Sequence, residues 1–175
     1  MTDHEERDMK SAPSFLTSTP TPMSSLLQLL REYNAVVFRD EALADIRKTL
    51  NGTFGSGTNS LLFLIGRACG IWSYKRLSLT YQNREELFDA CTGLKEQDGW
   101  GIFRCEINGD GTGTVRVANC FEARTNGPSN EPTCHFMRGF ITGFLSSALK
   151  RPVRVAETSC LARGDGECTF EIQAV

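Results

Sequence analysis

Histidine is nearly absent from this chain. Of its 175 residues only His4 and His135 are histidines. No Ser-His-Asp order can be read from such a composition, and no general base stands beside a nucleophile in the pattern an enzyme site requires. Long apolar runs are also missing, since no stretch approaches the ~18 apolar residues of a membrane span. Charge of one sign is lacking too. The net charge is −2, the pI is near 5.7 and Lys and Arg are scattered without a basic stripe, which argues against a nucleic-acid partner. The first ten residues, MTDHEERDMK, are charged throughout and offer no apolar core for a signal peptide. A reducing, cytoplasmic compartment is therefore expected. No phosphate loop is present either, because NGTFGSGTN at 51–59 is followed by no Gly-Lys-Ser/Thr.

What the chain does have is cysteine, at positions 69, 91, 105, 120, 134, 160 and 168. An odd number of thiols in a reducing compartment points to metal ligands or buried thiols before disulfides.

The length suits one domain. Residues 1–23, rich in Ser, Thr and Pro, are expected to be a disordered tail, and residues 24–175 the folded domain. Apolar spacings of three and four predict helices over 24–33 and 41–50, followed by a glycine-rich break over 51–59. Residues 60–77 predict a helix that is apolar nearly all round at its start and buried on most sides. Gly66 and Gly70 each cost about 1 kcal/mol there, so a close backbone contact is expected at them. Their spacing, with the apolar run Leu61–Ile65, also predicts a homodimer. Asn83 caps a helix over 84–98, with Glu86 at the capping-box position.

The period then becomes two. Phe103, Cys105 and Ile107 alternate with polar residues, and NGDGTG at 108–113 turns the chain into a strand holding Val115 and Val117. A loop over 123–130, a helix over about 133–149 and strands over 153–157 and 168–172 complete an α+β fold with an antiparallel sheet of about four strands packed against helices.

The sharpest signal is C-terminal. A helix from 136 to 149 spans roughly 20 Å at about 1.5 Å per residue. A strand from 151 to 157 returns roughly 20 Å at about 3.3 Å per residue. Glu157 then comes back to the level of Cys134. It faces inward with Val153 and Val155, which is costly without a partner. Cys168 is placed across the hairpin from it and Cys160 in the connecting loop. Three thiolates and a carboxylate can close a tetrahedral zinc shell and staple the hairpin. Spacing alone leaves open three unrelated core cysteines and a surface glutamate. His135 is the rival ligand, but neighbouring helix residues point about 100° apart. Cys69, Cys91 and Cys105 lie on apolar stripes and Cys120 at a strand end, so all four are expected outside the site.

The run CHFMRGFITGFLSSALKRPVRVAETSCLARGDGECTFEI resembles the C-terminal half of the 4-vinyl reductase domain family, with weaker likeness through GTNSLLFLIGRACG and DGWGIFRCEI. The resemblance implies a fold similar to TRAPP tethering-complex subunits and to the sensor domains of aromatic-responsive transcription activators. It implies a structural zinc held by Cys134, Glu157, Cys160 and Cys168, and a small hydrophobic ligand: aromatic, hydrocarbon or tetrapyrrole-like. The expected function is a zinc-containing sensor or carrier with a possible signalling partner. The alternatives are an enzyme or accessory factor of tetrapyrrole synthesis and a dimeric scaffold subunit. Phenol sensors of this kind use a His and a Trp on the ligand hydroxyl. Trp72 or Trp100 offers the indole, but no histidine lies between the tail and Cys134, so a ligand less polar or larger than phenol is expected. Trp72, Trp100, Phe103, Phe140 and Phe144 are the candidate ligand-binding residues, and the same aromatics would equally suit a filled core.

Overall fold

Two carboxylates, Asp40 and Glu41, open the first helix at its positive end, and Gly55 closes it with φ 53°. This is α1, Asp40–Phe54, in a computed structural model that describes residues 39–175. The tail expected over 1–23 and the helix expected over 24–33 lie outside the described residues. The break expected over 51–59 is shorter than its composition suggests. Asn51, Gly52 and Thr53 stay helical, and only Gly55 and Ser56 separate α1 from α2, Gly57–Leu77. One glycine inside a helix costs about 1 kcal/mol, which neighbouring turns absorb. Helix α3, Arg84–Gln97, begins where Asn83 Oδ1 accepts the Glu85 N–H at 2.8 Å.

Strands β1, Ile102–Ile107, and β2, Gly113–Ala118, form the expected hairpin, in register from Ile102↔Ala118 to Ile107↔Gly113. Asp110 fixes its turn by accepting the Thr112 N–H at 3.0 Å. A short helix follows, α4, Phe121–Asn126, where a loop was expected from 123 onward. Six residues are too few to carry a periodic signal. Helix α5, His135–Ala148, strand β3, Val153–Ser159, a single 3-10 turn, Leu161–Arg163, and strand β4, Cys168–Ala174, end the chain. The sheet has four antiparallel strands in the order β1-β2-β4-β3. The fold class is α+β, as the hairpins and grouped helices imply.

Helix α5 is buried on almost every side. Its Met137, Phe140, Ile141, Phe144 and Leu145 meet a core that includes Val115 and Val117 of β2, Val153 and Val155 of β3, and Phe170 and Ile172 of β4. Helix α2 crosses it on another side through paired glycines. A Cβ on Gly66 would lie 2.0 Å from the Phe136 carbonyl oxygen, and one on Gly139 would lie 2.1 Å from that of Phe63. Gly70 and Gly143 sit as close to the facing backbone. The close contact expected at Gly66 and Gly70 is thus with α5 of the same chain, not with a second copy. Burial of α2 on most sides is a second correction. Leu64 is 58% and Trp72 60% exposed, because the helix packs through its small residues rather than its large ones.

Candidate metal centre and apolar cleft

Four side chains from three elements converge at one end of α5. Cys134 is its N-cap, Glu157 lies on β3, Cys160 stands just before the 3-10 turn and Cys168 opens β4. One ligand atom from each lies within 4.8 Å of the other three. The Cys134 Sγ is 3.8 Å from that of Cys160 and 3.6 Å from that of Cys168. Tetrahedral bonds of about 2.3 Å from zinc to sulphur place sulphurs about 3.8 Å apart, so these separations have the dimensions of a zinc-thiolate edge.

The register reaches this geometry differently from the expected pairing. Glu157 stands opposite Phe170, and Cys168 pairs with Val117 of β2. A bulge between Glu157 and Ser159 shifts the hairpin, so Cys168 approaches from beyond the cross-strand position.

Backbone donors hold the cluster in place. The Cys134 N–H donates to Glu157 Oε2 at 2.9 Å, while Glu157 Oε1 is buried with no partner among the described residues. The Leu161 N–H donates to Cys168 Sγ at 3.3 Å, and the Cys160 N–H donates to Asp165 Oδ2 at 2.7 Å. Asp165 in turn pairs with Arg163 at 2.9 Å, which sets the loop carrying Cys160. Burial pushes the Glu157 carboxyl up to about 8, and the adjacent Cys160 thiol adds to the rise. Cys134 is held well above the usual thiol range by its contacts with Cys120, Cys160 and Cys168, and then by burial. A knot of acids that cannot all ionise by themselves, with one carboxylate oxygen orphaned, fits a divalent cation. His135 is outside the group of four, and burial lowers its imidazole to about 4.

Two residues of this region carry no sequence signal. Cys120, expected at a strand end outside the site, is 0% exposed with its Sγ 3.8 Å from that of Cys134. Glu122 on α4 is 4% exposed and accepts the Phe136 and Met137 N–H groups at 3.0 and 2.8 Å. It caps α5 from a distance, with Arg47 of α1 at 3.4 Å. Its donors lie fourteen and fifteen residues downstream, so no local capping pattern announces it.

Burial, more than any other influence, pushes the Glu122 carboxyl up from 4.5 to about 7. The folded protein then binds this proton more tightly than the unfolded chain. The contribution is complete below pH 4.5 and is lost as pH rises through about 7. Urea unfolding from pH 4.5 to 8 should show a wild-type decline that Glu122→Gln lacks, and parallel profiles would refute the assignment.

The candidate ligand-binding aromatics divide into three groups. Phe103, Phe140 and Phe144 line a cleft of about 40 Å³ with Cys91, Lys95 and Ile141 among its other walls. Trp100 stands behind that wall, its ring 5.0 Å from Phe140, and Lys95 Nζ lies 4.4 Å from its centroid. Trp72 is elsewhere, exposed on α2 beneath Arg76. The described helices include none long and apolar enough to cross a membrane.

Solved structures share this fold. The phenol-responsive sensory domain of the transcription activator PoxR, solved with phenol, aligns with a TM-score of 0.71 and 19% identity over 79% of this chain and 76% of that one. A vinyl-4-reductase family protein from Methanocaldococcus jannaschii gives 0.51 and 20% over 91% and 85%. A trafficking protein particle complex subunit 3 from Naegleria fowleri, covalently bound to palmitic acid, gives 0.54 and 14% over 78% and 95%. At these identities the likeness is one of fold. Residues 114–174, which supply all four members of the cluster, match the 4-vinyl reductase domain family, and the chain carries a domain of that family there.

Proposed function

We propose that this protein is a sensor or carrier that binds a small hydrophobic molecule in the cleft between α3, β1 and α5. One structural zinc holds the C-terminal hairpin against α5, and the bound molecule is not turned over. The observation that carries the reading is the cleft itself. It opens beside the partly exposed edge strand β1 and is walled by Phe103, Phe140, Phe144 and Ile141. Two neighbours of this fold were solved with apolar molecules, phenol in one and palmitic acid in the other. A zinc held by four protein ligands has no open position for a substrate, which supports a structural role.

A volume of about 40 Å³ accommodates one water, whose share of the liquid is about 30 Å³. A larger ligand therefore enters by displacing α3, whose buried residues are Leu87 and Cys91. Thermal shift against alkylphenols of growing chain length and n-alkyl alcohols tests this. A ligand at one hundred times its Kd adds about 2.7 kcal/mol by mass action, a rise of roughly 5–10 °C. Phe103→Ala should reduce the shift several-fold and Trp72→Ala should leave it unchanged. Equal effects of the two variants would remove the cleft from consideration. Consumption of a vinyl tetrapyrrole with a reductant, by the pure protein alone, would overturn the binding-only reading.

The exposed Leu64, Ile65 and Trp72 on α2 favour a homodimer through that face. Light scattering should give twice 19.4 kDa at micromolar concentration, and a single 19.4 kDa species would refute the dimer. The free thiols favour a reducing compartment such as the cytoplasm.

A further inference from the structure

Cys134 has a third sulphur neighbour besides Cys160 and Cys168. The chain leaves β2 through Asn119, whose φ of 54° is left-handed, and the next residue, Cys120, is driven fully inside at the start of α4. Its Sγ lies 3.8 Å from Cys134 Sγ, the same separation as Cys160, and its thiol also interacts with Cys168. That places Cys120 at a zinc-thiolate edge distance from Cys134 although it is not one of the four convergent groups.

We propose that Cys120 is a reserve ligand that takes the place of Glu157 when the carboxylate is lost, so that the site holds its ion with four thiolates. This rests on the metal reading above. Two of the three fixed ligands already touch the Cys120 sulphur. Zinc and cobalt(II) accept either donor set, and thiolate is the softer ligand. Glu157 is held by the bond from the Cys134 N–H, which favours the carboxylate while it is present. Removing its side chain opens the fourth position to the nearest remaining anion, and that is Cys120. A plain core cysteine would instead leave the vacated position to water.

Cobalt(II) titration of the full chain separates the two cases, because sulphur-to-cobalt charge-transfer absorbance per bound ion reports the number of thiolates. Wild type should show three. Glu157→Ala should bind one ion with absorbance higher by about a third. The double variant Glu157→Ala/Cys120→Ala should fall back to the three-thiolate intensity or lose the ion. Glu157→Gln, which retains a carbonyl oxygen for the Cys134 N–H, provides the same comparison if Glu157→Ala does not fold. Unchanged intensity in the single variant, or a double variant indistinguishable from it, overturns the role of Cys120 alone. A wild type that takes up no cobalt overturns the metal reading and this inference with it.

Discussion

Cys134→Ser should release the metal and remove most of the stability of the domain. Cys134 is the sulphur common to the cluster, at 3.8 and 3.6 Å from Cys160 and Cys168, and its N–H also holds Glu157. It is the N-cap of α5, whereas the other three ligands belong to the β3–β4 hairpin, so the ion ties helix to sheet through this one residue. Ile172 and Phe170 anchor β4 in the core, but the turn between the strands, Leu161–Arg163, buries no residue. Packing alone does not fix that turn. In zinc-finger peptides structural zinc contributes an apparent ~10–16 kcal/mol. The stability of an ordinary domain is only about 5–15 kcal/mol. Loss of the ion therefore unfolds the hairpin at least, and the whole domain if folding is two-state. Elemental analysis should give one zinc per chain in wild type and none in Cys134→Ser. Circular dichroism should show a fall in Tm of tens of degrees, reproduced by a strong chelator on wild type. A chelated protein that melts where the untreated one does would show that the cluster is only a packed core.

The four-residue cluster was legible because it rests on lengths. A helix rising about 1.5 Å per residue and a strand rising about 3.3 Å per residue bring Glu157 back to Cys134 whatever packs around them. The hairpin β1–β2 was legible for a similar reason, because alternation and a glycine-rich turn are local. What stayed hidden depends on partners distant in sequence. Glu122 is buried because two N–H groups of α5 need an acceptor, and nothing near position 122 records that need. Cys120 joins the cluster because Asn119 turns the chain through a left-handed conformation, which Asn tolerates but does not dictate. The cleft was only half legible. Phe103, Phe140 and Phe144 meet there, but aromatic spacing could not separate them from Trp72, which stands on the outside of α2.

The glycines at the α2–α5 crossing support the second large effect. Gly139→Ala should destabilise the protein by about 3 kcal/mol or more, at the upper end of the usual cost of overpacking. The added methyl would sit 2.1 Å from the Phe63 carbonyl oxygen and 2.9 Å from the Arg67 nitrogen. Both atoms are backbone, so no side-chain rotation relieves the clash and the helices must separate. Gly66→Ala meets the Phe136 oxygen at 2.0 Å and should behave alike. Separation would also move Phe140 and Phe144, coupling the crossing to the cleft. Gly93→Ala on α3 supplies the opposite sign, because a methyl there meets nothing within 4 Å. It should stabilise by about 0.5–1 kcal/mol through the reduced freedom of the unfolded chain. In a domain of this size each kcal/mol moves Tm by about 2–4 °C. The crossing variants should therefore melt roughly 6–12 °C below wild type, and Gly93→Ala a few degrees above it. Gly139→Ala and Gly93→Ala shifting Tm in the same direction would show that helix propensity, not backbone contact, governs these positions.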